Sequence, residues 1–145
     1  MPTATAEKNG LMSIEQYMLM PQKLSIGKTF NAINLGTYEK RFVRFIALIF
    51  GYNPSSMVAQ GYLLAFSTNA SDSVKPQYNC TSFGTKSPVY KFLYKDNGNS
   101  YTVYFYCSDT FSGDHPIFII NPMNSVYAEF INIDDSYKEI SIVGD

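Results

Sequence analysis

Val89-Tyr90-Lys91-Phe92-Leu93-Tyr94-Lys95, Asp96-Asn97-Gly98-Asn99 and Tyr101-Thr102-Val103-Tyr104-Phe105-Tyr106-Cys107 read as two strands joined by a four-residue turn. Aromatic and β-branched residues fill the arms, while Asp, Asn and Gly fill the link, which is the composition of a hairpin. The period of two in a strand sets Tyr101, Val103, Phe105 and Cys107 on one face and Thr102, Tyr104 and Tyr106 on the other. A hairpin of this kind needs a second layer to bury its apolar face.

The rest of the chain supplies that layer. Arg41–Phe50 opens on charges and turns apolar on both faces through Phe45-Ile46-Ala47-Leu48-Ile49-Phe50, as a strand covered on both sides does. Phe30–Leu35, closed by Gly36, reads as a short first strand. Gln60–Thr68, Gln77–Phe83, Ile117–Ile120, Ser125–Ile133 and Lys138–Val143 follow. The segments between them are polar and turn-forming: Gly51–Ser56, Asn69–Pro76, Ser108–Pro116 and Asn121–Asn124. About eight or nine strands, roughly eight to twelve residues apart, specify an all-β chain: an antiparallel β-sandwich or jelly roll.

Composition narrows the function. The 145 residues carry a formal net charge of -1 and 16% charged residues, so no basic field is available for nucleic acid or an acidic membrane surface. No apolar run approaches the ~20 residues of a membrane-spanning helix, so membrane insertion is not expected. The opening Met-Pro-Thr-Ala-Thr-Ala-Glu-Lys-Asn-Gly lacks the basic start and apolar centre of a signal peptide, which points to assembly in a cytoplasm. Cys80 and Cys107 are too few for a disulfide framework and read as reduced, buried thiols, with a bond between them as the alternative.

Catalytic patterns are thin. His115 is the sole histidine, with Asp114 beside it, but neighbours on extended chain point apart and no Gly-x-Ser-x-Gly elbow is present. Asp134-Asp135 has the look of a turn rather than of a glycosidase pair, whose carboxylates face each other across a cleft. No calcium loop, metal-ligand set or phosphate loop occurs, and no cofactor is implied. The tyrosines Tyr90, Tyr94, Tyr104 and Tyr106 are the informative residues. As a stripe they suit a flat sugar face, although cross-strand packing and subunit interfaces use tyrosine in the same way.

Ahead of the strands, Asn9–Leu24 reads as a short helix. Ser13 and Gln16 have capping-box spacing, Met12 and Tyr17 the spacing of a hydrophobic staple, and Pro21 ends the segment. Roughly two turns are too short to stand alone. Leu11, Ile14 and Met18 form one apolar seam, which calls either for the following domain or for copies of itself.

The phrase Ala4-Thr5-Ala6-Glu7-Lys8-Asn9-Gly10-Leu11-Met12-Ser13, followed by Lys23-Leu24, resembles a linker of bacteriophage fibre proteins, which joins a trimeric stalk to a globular β head. The resemblance covers about 20 residues, and Ile14-Glu15-Gln16 departs from its usual acidic-lysine continuation. It implies a virion fibre protein without enzymatic activity, in two parts: an N-terminal attachment arm and helical collar over 1–28, and a β-sandwich head over 29–145. It further implies a homotrimer with Leu11, Ile14 and Met18 meeting at the axis, and a capsid or tail anchor held by the N-terminal arm. If Met1 is the natural start, the product is a short head fibre or decoration; otherwise it is the receptor-binding tip of a longer tail fibre. The head would contact a host-surface glycan or protein through end loops, with Tyr52, Asn53, Tyr90, Tyr94, Tyr104, Tyr106 and His115 as candidate contacts. A capsid decoration without a receptor, a monomeric carbohydrate-binding module and a secreted glycan hydrolase are the competing readings.

Overall fold

The computed structural model describes residues 22–40, 44–53, 58–68, 76–84, 90–108, 115–121 and 125–143. The expected helix, with its seam Leu11, Ile14 and Met18, lies outside them. The described residues are all β, in eleven strands: β1 (Gln22–Ile26), β2 (Ala32–Glu39), β3 (Arg44–Asn53), β4 (Val58–Ser67), β5 (Gln77–Gly84), β6 (Tyr90–Asp96), β7 (Ser100–Cys107), β8 (His115–Ile120), β9 (Tyr127–Glu129), β10 (Tyr137–Ile140) and β11 (Ile142–Val143). They form a six-stranded sheet, β1-β8-β3-β4-β5-β11, and a five-stranded sheet, β10-β6-β7-β2-β9. All pairings are antiparallel except β5 with β11. β3, β4 and β5 run as consecutive hairpins, and β8 returns beside β3, which is a Greek-key order.

The hairpin that announces the fold is β6–β7, in register from Tyr90 opposite Cys107 to Asp96 opposite Tyr101. Its turn is held by Asn97 N donating to Ser100 O at 2.9 Å and Gly98 N donating to Asp96 Oδ1 at 2.8 Å. Gly98 takes φ 98°, which a side chain would strain. The same corner carries a buried charge. Lys40, 8% exposed, reaches Asp96 Oδ1 at 2.8 Å and lies 4.7 Å from the centre of the Tyr101 ring.

Several strands differ from the sequence reading for local reasons. β2 does not stop at Gly36 but bulges there: the register skips Leu35, and Gly36, at φ 120°, donates its N–H to Asn34 Oδ1 at 2.8 Å. The carbonyl of Leu35 instead accepts Tyr38 Oη at 2.6 Å and the buried Asn121 Nδ2 at 2.9 Å. Gly51, Tyr52 and Asn53, expected in a loop, extend β3 because they pair with Gln60, Ala59 and Val58. His115 and Pro116, also expected in a loop, lead β8 and pair with Ile26 and Ser25. Gln22–Ile26, assigned to the helix end and a connector, is the edge strand β1; the six-stranded sheet therefore starts ahead of residue 29. The final segment divides at Ser141, with Ile140 in one sheet and Ile142 in the other.

One core lies between the sheets. Ile26, Ile49, Tyr62, Leu64, Ile117 and Ile119 meet Ile33, Leu35, Phe92, Val103, Phe105 and Ile140, all of them 0–1% exposed. Cys80 and Cys107 are free thiols within it, and burial pushes the Cys80 thiol up to about 12. A smaller apolar cluster of Ala32, Leu93, Tyr104 and Ile131 lies on the outer face of the five-stranded sheet, beneath the segment from β9 to β10. Asn31 clamps that strap: its Nδ2 donates to Ile131 O and its Oδ1 accepts Ile131 N, both at 2.8 Å.

Two outcomes test this packing. Lys40 and then the Gly98 N–H hold the Asp96 carboxyl below its ordinary value, so its stabilisation is present above about pH 4 and fades as pH falls through the depressed pKa. Asp96→Asn is expected to cost about 1 kcal/mol at pH 7, a figure reduced for the half-exposed carboxylate, with the difference closing in acid-series denaturant titrations. Asn31→Ala is expected to cost about 1–3 kcal/mol and to expose the Ile131 amide to hydrogen exchange ahead of the β6–β7 amides.

Candidate functional site

Strand alternation gives the five-stranded sheet an outer face with three register rows. Leu93, Tyr104, Asn34 and Tyr127 stand opposite one another in turn, with Glu139 opposite Leu93 at the far edge. Lys91, Tyr106, Ala32 and Glu129 form the next row, and Tyr137, Lys95, Thr102 and Thr37 the third. This face is polar and aromatic together. The strap covers its centre, so Tyr104 is 6% exposed while Tyr127, on the edge strand β9, is 55% exposed.

Asn34 organises the exposed end. Its Nδ2 donates to Tyr127 Oη at 2.9 Å and to Glu129 Oε2 at 3.1 Å, while its Oδ1 is occupied by Gly36 N. The β2 bulge thus fixes the amide, and the amide fixes the Tyr127 phenol and the Glu129 carboxylate. Behind them the Tyr104 and Tyr137 rings meet at 5.7 Å, and Lys95 Nζ lies 5.2 Å from the Tyr137 ring centre. Burial pushes the Tyr104 phenol well above its ordinary value, with Glu129, Tyr137 and Tyr127 adding to it, so it stays a neutral hydroxyl. The ensemble offers an aromatic face, a carboxylate acceptor and phenol hydroxyls on a rigid sheet. Such a surface suits the hydroxyls and C–H faces of a sugar.

The tyrosines chosen from sequence do not form one stripe. Tyr90 and Tyr94 face the core at 5% and 9% exposure, Tyr90 stacked on Phe105 at 5.2 Å and Tyr94 edge-on to Tyr101 at 5.6 Å. Burial pushes the Tyr90 phenol up to about 12. These two rings are interior packing. Tyr104 and Tyr106 share the outer face, Tyr104 under the strap and Tyr106 half-buried against the same cluster. His115, 7% exposed, is a strand residue at the start of β8. Tyr52 and Asn53 lie on the backbone of β3. Of the proposed end loops, 54–57, 69–75 and 109–114 lie outside the described residues.

Asp134 is the turn residue that its sequence suggested. Its carboxylate accepts Ser136 N at 2.8 Å and the Ser136 hydroxyl, and these bonds hold it below its ordinary value. Among the described residues no group of three or more His, Cys, Asp or Glu is placed to hold a metal. Tyr127, Asn34 and Glu129 were not singled out from sequence. The signal for them is long-range: a bulge at residues 34–36 set opposite a three-residue strand more than 90 residues later.

No known family model matches the chain, and no curated protein matches it in sequence. Among solved structures it is similar to Pantoea stewartii WceF, described as a glycan biofilm modifying enzyme with a bacteriophage tailspike-like parallel β-helix fold. The TM-score is 0.50 at 10% identity, over 81% of this chain and 21% of that one. The chain therefore spans about a fifth of that protein's length. The likeness is one of fold, and with every pairing but one antiparallel the present sheets are not themselves a parallel β-helix.

Proposed function

We propose that this chain is the head of a bacteriophage-type fibre, homotrimeric in the virion, which holds a host-surface glycan without cleaving it. The observation that carries the reading is the exposed Tyr127 ring, fixed by Asn34 beside the Glu129 carboxylate. An aromatic ring with a polar rim that is already ordered loses little entropy on binding a sugar. The fold likeness to part of a glycan-modifying protein is in keeping with this. Trimeric assembly and attachment to a capsid or tail partner through the N-terminal arm belong to the same proposal and rest on the Gly10-Leu11-Met12-Ser13 phrase.

The spacing of the two glutamates on this face supports binding without cleavage. Glycosidic cleavage by the usual route takes two carboxyl groups ~5–9.5 Å apart. Glu129 and Glu139 stand on opposite edge strands, four strand spacings or roughly 19 Å from each other. Glu139 is also paired with Lys91 at 3.4 Å.

The test is a glycan array, followed by titration of the best ligand on the full chain. Tyr127→Ala is expected to weaken binding about tenfold, the loss of one aromatic contact of ~1.4 kcal/mol, and Asn34→Ala to do the same by freeing the ring. Wild-type protein that ignores every glycan, or a Tyr127→Ala variant that binds unchanged, overturns the site. Release of reducing ends from the bound glycan overturns the non-catalytic part.

A further inference from the structure

The two sheets treat their outer faces differently. The outer apolar cluster of the five-stranded sheet lies beneath the protein's own strap, clamped by Asn31. On the six-stranded sheet, the described residues include no such strap. Leu63 on β4, Phe83 on β5 and Phe118 on β8 are 40%, 47% and 38% exposed, although each stands next to strands in mid-sheet. Register links them into one patch. Phe118, Phe50, Gly61 and Phe83 lie in one row across four strands, and Ile120, Leu48, Leu63 and Thr81 in the next. Gly61 belongs to the patch for a steric reason: the Phe83 ring lies over it, where a Cβ would fall 2.2 Å from the ring.

Charge separates the sheets as well. β8, β3, β4 and β5 contain one Asp, Glu, Lys or Arg, namely Arg44. The five-stranded sheet has three charged residues on β6, two on β10 and one each on β2 and β9. Solvent-facing sheets carry polar residues along their outer face, and of these four strands β5 does so with Gln77, Asn79 and Thr81, none of them charged. A charged partner surface placed here would lose its hydration without meeting a counter-charge. The matching surface is another apolar, uncharged sheet. Size is in range: the 34 residues of these four strands, at ~3.4 Å each and ~4.8 Å between strands, give this face roughly 550 Å² in projection, against ~800 Å² of accessible surface per partner in a standard interface.

We infer that the outer face of the six-stranded sheet is where a second copy of this chain docks, with Leu63, Phe83 and Phe118 at the centre of the contact. The inference builds on the self-association in the proposed function and assigns it a face. It leaves the Tyr127 side of the other sheet open to a ligand.

Light scattering on the full chain across micromolar concentrations tests it, with Leu63→Lys, Phe118→Lys and Thr81→Arg beside an Ile133→Lys control on the strap side. Thr81 is exposed and polar, so Thr81→Arg disturbs the face without threatening the core. The expected result is a multimer for wild type and the control, and the mass of one chain for the face variants, with unchanged far-ultraviolet dichroism. A trimer that survives all three face variants overturns this face and leaves the fibre reading standing. A dimer that they dissolve upholds the face and overturns the trimer. A wild-type monomer overturns both, while glycan binding is scored separately.

Discussion

Tyr62 crosses the space between the sheets and meets Phe92 at 5.5 Å and Phe105 at 5.7 Å; two inward positions along, Phe66 meets Tyr94 and Tyr101, each at 6.0 Å. These rings from β4 fitted against rings from β6 and β7 set the distance and alignment of the two layers. Edge and tilted geometries dominate, as ring quadrupoles favour. Because successive strand residues alternate faces, fixing Tyr62, Leu64 and Phe66 inward also fixes Leu63 outward. The two outer faces are thus consequences of the core.

The strands were legible where apolar residues alternate without interruption, as in Tyr101–Cys107, and less so where a ladder overrides local preference. Gly51-Tyr52-Asn53 has turn chemistry yet pairs with β4, and Gly36 looks like a strand end yet sits in a bulge. Pairing partners decide such cases, and they are remote in sequence. The same limit applied to the surface. Four tyrosines read as one stripe fell on opposite sides of their hairpin, since Tyr90 and Tyr94 share a face with Val103 while Tyr104 and Tyr106 do not. Asn34, which holds Tyr127 and Glu129, gives no local sign of that duty.

The outer surfaces divide the labour. One carries tyrosines, carboxylates and lysines, and a strap that leaves its edge accessible. The other is broad, apolar and almost uncharged. Leu63, Phe83 and Phe118 mark that second face on β4, β5 and β8. The proposed ligand face and the proposed docking face thus lie on opposite sheets.

The order in which strands pair bears on how the chain becomes a protein at all. β1 joins β8, with Gln22 set against Ile119, and the last strand, β11, lies beside β5 after the chain changes sheets at Ser141. Few of these contacts exist until most of the chain has been synthesised, and loops of such length close slowly. β3, β4 and β5, with Arg44 as the one charge among them, are consecutive in sequence and can pair with one another before β8 is made. The apolar residues of β3 and β4 are thus the part of the chain whose cover comes from strands made later, β6, β7 and β8, and the part where aggregation during synthesis is expected.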